Sequence, residues 1–92
     1  MPTILSTGPY RLFFYSGDRG EPPHIHVERD DAIVKLWLDP VRLDRNIGFR
    51  AAELRRIEQI VVDNREQLLE AWNDFFSSRY GDSQRRGRKR DR

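Results

Sequence analysis

His24 and His26, the only two histidines of the chain, stand one residue apart in EPPHIHVERDD, directly behind Pro22 and Pro23. On a strand, residues i and i+2 share a face, so both imidazoles aim the same way. A pair aimed like this can ligate a metal. A zinc-type centre takes three or four protein ligands. The chain has no cysteine, so the remaining ligands would have to be Glu28, Asp18 or Asp30. Of these, Glu28 is in phase with the histidines, and the two aspartates fall in loops. His24 or His26 could instead serve as general acid or base on RNA without a metal, with Arg11 or Lys35 stabilising phosphate charge. No nucleophile motif, glycine-rich phosphate loop or paired catalytic carboxylates accompany them. His24, His26, Arg11 and Lys35 therefore stand as catalytic candidates, with no catalytic residue assigned. The third reading is two imidazoles hydrogen-bonded within a covered sheet. An isolated H-x-H is a weak metal signal, so the expectation is no metal and no cofactor, with His24, His26 and Glu28 as the ligands if one binds.

The elements that must position these residues are strands first and helix second. YRLFFYS, Tyr10 to Ser16, is rich in aromatic residues and bounded by turn formers, and reads as a strand. HIHVER, His24 to Arg29, is the second strand, with the prolines at its start, where a missing N–H is tolerated. Asp30-Asp31 makes a two-residue link, since aspartate accepts the left-handed backbone of tight hairpins. AIVKLWL, Ala32 to Leu38, is the third strand. Thr3–Leu5 and Val41–Leu43 are possible edge strands. Beyond Phe49 the apolar spacing becomes helical: Leu54, Ile57, Val61, Leu68, Trp72 and Phe75. Arg50 is the expected N-cap, a poor one, with Glu53 at N3 and a Phe49–Leu54 hydrophobic staple. DNRE, Asp63 to Glu66, could begin a second helix, but no glycine or proline interrupts the stripe. One long helix, bent or frayed near Asn64, is preferred. The expected fold is α+β: a small antiparallel meander of three to four strands with a long C-terminal helix on one face.

Strand parity then sorts the side chains. Ile25 and Val27 take the helix side of the second strand, with Val34, Leu36 and Leu38 of the third and Leu12 and Phe14 of the first. The opposite face collects Arg11, Phe13, Tyr15, His24, His26, Glu28, Ile33, Lys35 and Trp37. Aromatics at this density on an outer face imply a covering. A second copy, another protein, or single-stranded RNA bases stacked on Phe13, Tyr15 and Trp37 would each serve. Arg11, Phe13, Tyr15, His24, His26, Glu28, Lys35 and Trp37 are the expected binding residues.

Length and charge limit the choices. Ninety-two residues make one domain, expected over 1–78, with a basic disordered tail over 79–92. The stretch Ser77 to Arg92 carries seven basic and two acidic residues, a net +5, which leaves −3 for the rest of a chain of net +2. The basic character thus belongs to the tail, where Arg85, Arg86, Arg88, Lys89, Arg90 and Arg92 could hold phosphates through counterion release. No signal peptide or membrane-length apolar run is visible, and a cytoplasmic protein is expected.

Several stretches together resemble a known family. GPYRLFFYSGD, EPPHIHVERDD, WLDPVRL, GFRAAELRRIE and NREQLLEAWNDFF are similar to the small bacterial proteins grouped as domain of unknown function 4160. The resemblance covers Met1 to about Ser78. Members often carry Asn at the position of Gly17 and Ser at that of Arg50, where Ser would supply the missing helix cap. The resemblance implies no activity. Members are often encoded beside domain of unknown function 2442, an arrangement like that of toxin–antitoxin pairs. The functional expectation is accordingly a binding protein in a pair of this type, with a homodimer or a co-encoded small protein as partner, nucleic acid as a further partner for the tail, and no membrane. The alternatives are an RNA-binding or ribonuclease toxin using His24 and His26, and a metal-binding protein.

Overall fold

The computed structural model describes residues 3–80, the last three by backbone alone. Five strands form one antiparallel sheet in sequence order: β1 (Thr3–Thr7), β2 (Tyr10–Phe13), β3 (His24–Arg29), β4 (Ala32–Leu38) and β5 (Val41–Ile47). A 3-10 turn, Ser16–Gly20, joins β2 to β3, and two helices follow, α1 (Ala51–Asp63) and α2 (Arg65–Tyr80). The α+β class and the meander are as expected. The strand count is larger than the expected three to four, because both possible edge strands form and extend further than their apolar residues suggested. The tail and its arginines lie outside the described residues apart from the backbone of 79 and 80. Among the described residues no helix is long and apolar enough to cross a membrane.

Tight links fix the register. Thr7 pairs with Tyr10 across Gly8-Pro9, Arg29 with Ala32 across Asp30-Asp31, and Leu38 with Val41 across Asp39-Pro40. Asp30 adopts a φ of 55°, the left-handed conformation that its short polar side chain tolerates. Both outer strands carry an irregularity, at Thr3/Leu5 and opposite Lys35/Leu36, which blunts them as templates for further pairing. The first strand ends at Phe13, short of the expected Ser16, because the chain turns there into the 3-10 segment.

The core forms where parity placed it. Leu12, Phe14, Ile25, Val27, Val34, Leu36 and Leu38 are buried against Ile57 and Val61 of α1 and Leu68 and Trp72 of α2. Gly48, at a φ of 100°, turns the chain from β5 toward α1; a side chain there would press on Ala32. Arg50 is the N-cap and makes no side-chain cap bond. Asn46 braces the turn before it, bonding both the N–H and the C=O of Phe49.

The expected single helix is two. The Asn64 side-chain amide donates to the Ile60 carbonyl at 2.8 Å, an oxygen that also accepts from the Asn64 backbone N–H at 3.1 Å, so Asn64 closes the end of α1. Its backbone leaves the helical region at φ −113°, ψ 15°. Arg65 then ties the start of α2 to the sheet through the Leu38 carbonyl at 2.7 Å and Asp39 at 2.8 Å. The apolar stripe stays in phase across the break, which is why spacing alone could not reveal it.

Candidate functional site

The approach to β3 is built by backbone bonds. The Tyr15 carbonyl accepts from the Asp18 N–H at 3.0 Å. In return Asp18 Oδ2 accepts from the Tyr15 N–H at 2.9 Å. This closed turn aims the Asp18 carboxylate at the first turnings of β3, where Pro22 and Pro23 lead in. The Pro23 carbonyl accepts from the Leu38 N–H at 3.1 Å, so the sheet pairing reaches into the double proline. His24 is thereby fixed at the very start of a strand.

His24 is fully buried. Its Nδ1 lies 3.0 Å from the Pro22 carbonyl and its Nε2 2.9 Å from Asp18 Oδ2. A carbonyl only accepts, so Nδ1 carries the proton. Nε2 therefore faces a carboxylate with its lone pair, unless a cation, whether a proton or a metal, sits between them. His26 approaches the same oxygen. Its Nε2 lies 3.4 Å from Asp18 Oδ2, an electrostatic contact rather than a hydrogen bond, and the atom is buried with no hydrogen-bond partner among the described residues. Ligand atoms of Asp18, His24 and His26 all fall within 4.8 Å of one another.

The protonation states suit ligation. Burial, and then the charge that His24 carries when a proton bridges it to Asp18, lower the His26 pKa more than Asp18 raises it, so the ring is neutral near pH 7. For Asp18, burial acts upward, but the Tyr15 N–H and His24 with that bridging proton outweigh it and hold the carboxyl below its usual range.

The aromatic surroundings differ from the expectation. Phe13 and His24 are both fully buried, so the face is not one of exposed aromatics awaiting a cover. The chain itself covers these two residues. His26 stacks on Phe13 at a centroid separation of 5.4 Å and meets Tyr15 edge-on at 4.9 Å. The Arg11 guanidinium sits 4.3 Å from the Phe13 centroid and the Lys35 ammonium 4.6 Å from that of Trp37. Tyr15 alone among the expected aromatics is well exposed, at 41%. His24 is also not confined to the side away from the helices. Its position at the strand end lets α2 reach around, and its ring lies 4.9 Å from that of Trp72 and 5.6 Å from that of Trp37.

The carboxylate that joins the histidines is Asp18, and not the in-phase Glu28. Glu28 pairs across the strands with Arg11, at 2.9 Å and 3.1 Å, and Asp30 pairs with Arg29 at 2.8 Å. Lys35 lies opposite His26 in the register and binds Glu21 at 2.6 Å, with Asp44 at 3.7 Å. Glu21 in turn comes within 3.7 Å of His24 Nδ1. That bond to Glu21, partly offset by burial, raises the Lys35 pKa and keeps it a cation. Glu21, Asp44 and Arg45 drew no attention in the sequence. Asp18 had a readable signal, an aspartate three residues after Tyr15 in a glycine-containing loop, the spacing of a side-chain-closed turn.

A groove of about 340 Å³ opens on this face beside His26. Tyr15, Ile33 and Ile47 supply its apolar wall, and Lys35, Asp44 and Arg45 its charged one.

No curated protein and no solved structure matches the chain. A family model does, over residues 10–73, a span that contains both histidines, the Asp18 turn, the groove and the buried faces of both helices. The chain belongs to the family described as domain of unknown function (DUF4160).

Proposed function

We propose that the chain is a metal-binding protein that takes one divalent transition-metal ion on His24 Nε2, His26 Nε2 and Asp18 Oδ2. The observation that supports this most directly is the meeting of lone pairs. Two imidazole nitrogens approach one carboxylate oxygen, and one of those nitrogens is buried with no hydrogen bond among the described residues. Buried polar atoms are normally satisfied, and a cation satisfies all three together. The His24 Nδ1 bond to the Pro22 carbonyl is the outer contact that metal-bound histidines ordinarily make. Distances agree as well. Ligands about 2.0–2.1 Å from a tetrahedral zinc lie about 3.3 Å apart, close to the 2.9 Å and 3.4 Å of the two contacts to Asp18, while the three ligand atoms together lie within 4.8 Å, so the two imidazoles would close toward the ion on binding. Mixed nitrogen and oxygen donors suit zinc and its first-row neighbours over magnesium or calcium.

Both tryptophans of the chain flank His24, so a paramagnetic ion at this site would quench their emission. Cobalt(II) added to untagged, metal-stripped protein is expected to quench tryptophan fluorescence with a one-to-one endpoint, and zinc to compete. The alternative occupant is a proton, giving a His24–Asp18 ion pair of the kind acid–base catalysis uses. A protein that takes up no cobalt or zinc at any stoichiometry overturns the metal reading in favour of that one.

A second reading, membership in a protein pair of toxin–antitoxin type, draws support from β5. It is an outer strand with Leu43 and Ile47 exposed at 46% and 53%, and exposed apolar side chains suit a partner that packs on them rather than one that extends the sheet. Leu43→Lys should release whatever protein copurifies from the native host. Retention of that protein by the variant would sink the role of β5.

A further inference from the structure

The groove beside His26 gives the metal a ligand. We propose that it is a small-molecule site in which an oxyanion head, carboxylate or phosphate, takes an open coordination position of the metal while an apolar body lies along Tyr15, Ile33 and Ile47. The inference rests on the metal reading above, and the experiment separates the two.

Coordination number is the first ground. Asp18, His24 and His26 supply three ligands, and zinc-type sites with three protein ligands keep a further position for water or substrate. The place of the groove is the second. His26 belongs to both the cluster and the groove wall, so a molecule in the groove touches a metal ligand directly. Size is the third, since about 340 Å³ falls within the range of small-ligand pockets.

Charge selects the ligand class. A divalent ion with one carboxylate and two neutral imidazoles keeps a net positive charge. Lys35 lies opposite His26 in the strand register and lines the same groove. Arg45 adds a second cation to the charged wall, and Asp44 offsets one of the two. Lys35 is held by Glu21 at 2.6 Å, so an anion in the groove meets chiefly the charge of the metal, with Arg45 beside it. The apolar wall makes a bare anion a poor fit. Tyr15 and Ile47 are 41% and 53% exposed, and an apolar body would cover both. Apolar contact of this kind is proportional to the area removed from water.

Full-length protein loaded with cobalt(II) carries the test. Cobalt visible absorption reports the coordination sphere, and its appearance on loading checks the metal reading independently. Acetate, inorganic phosphate, benzoate and phenylphosphate are then titrated. Benzoate or phenylphosphate should change the spectrum at a concentration at least about tenfold below that of its counterpart without the ring, a difference of about one decade in Kd. Whichever of the two binds more tightly identifies the head group as carboxylate or phosphate. Ile47→Asp, at an exposed position, should keep cobalt affinity and lose that advantage. A cobalt spectrum indifferent to all four anions, or an aromatic advantage that survives Ile47→Asp, overturns the groove proposal and leaves the metal reading standing. Failure to bind cobalt at all overturns both.

Discussion

Two acidic residues grip the sheet from outside it, and they do so in opposite ways. Glu53 of α1 accepts from Arg29 through both carboxylate oxygens, at 2.6 Å and 2.8 Å, and from the Tyr10 hydroxyl at 2.7 Å. Donors meet acceptors throughout, and the charges cancel. Asp18 meets two imidazole nitrogens, one of them bonded and the other without a hydrogen-bond partner among the described residues. The first arrangement is complete as folded and works as a brace between β2, β3 and α1. The second leaves one imidazole nitrogen unsatisfied among the described residues, and a cation bound there would complete it. Buried polar groups that satisfy one another rigidify a fold, whereas those left short in a partly open place carry the chemistry. Separating a brace from a site in this way needs only an inventory of donors and acceptors.

The comparison is broken most severely by removing what both regions lean on. Trp72 is 5% exposed and packs on Phe14 at a centroid separation of 5.1 Å, as well as on His24. Trp72→Ala should cost about 3–5 kcal/mol, the usual cost of truncating a buried aromatic. That is a large share of what a small domain has, so thermal melts should show a severely lowered or absent transition. A variant that melts like wild type would mean that α2 does not secure the His24 end of the sheet.

The two regions separate next by their response to metal. Saturating zinc at about a hundred times its Kd should stabilise the wild-type fold by about 2.7 kcal/mol, read as a rise in Tm. His26→Gln should fold without metal, since its ring nitrogen makes no hydrogen bond among the described residues, and should lose the zinc-dependent rise. Glu53→Gln should keep that rise in full, although the brace is damaged. A zinc response unchanged in His26→Gln would place the metal elsewhere.

Acid distinguishes them in the other direction. The hydrogen bonds from Arg29 and then from Tyr10, against the opposing effect of burial, lower the Glu53 pKa from 4.5 to about 2. A carboxyl with a depressed folded-state pKa stabilises fully above its unfolded value and loses that contribution as pH falls through the folded one. Wild-type stability should therefore decline between about pH 4.5 and pH 2. Glu53→Gln should be less stable near neutrality and flatter across that window. Equal slopes for the two proteins would show that other carboxylates govern the acid response.

Much of this was legible from alternation and helical spacing. Parity placed Ile25, Val27, Val34, Leu36 and Leu38 in the core, and grouped Phe13, His26 and Lys35, which are indeed cross-strand neighbours. It could not separate exposed from covered. Phe13 is hidden by rings and by Arg11 from its own face, and tertiary contacts of that kind leave no periodicity. The whole of β5 was hard to see because VRLDRNI hardly alternates and is mostly exposed along its length. The break at Asn64 rests on one side-chain amide, with the stripe unbroken around it. Sequence offers Asp18 as one possible further ligand but ranks it below the in-phase Glu28, because loop geometry depends on backbone bonds that spacing suggests but does not fix.

Glu28 and Asp18 give the finest test, because sequence phase favours the first as third ligand and geometry the second. Glu28 is held by Arg11 on a partly exposed part of the face, and an ion pair of that kind contributes about 0–1 kcal/mol. Glu28→Gln should therefore change Tm little and leave zinc affinity where it is. Asp18→Asn removes the anionic oxygen that both histidines approach, and should weaken zinc binding by at least the 10–100-fold that loss of a supporting contact alone produces. It should do so without greatly changing the far-ultraviolet circular dichroism, since the Asn side-chain oxygen can still accept from the Tyr15 N–H. Zinc titrations of the two variants, followed by tryptophan emission through Trp37 and Trp72, place them on one scale. If Glu28→Gln proves the weaker binder, strand phase was the better guide and the 3-10 turn must yield to let the β3 carboxylate reach the metal.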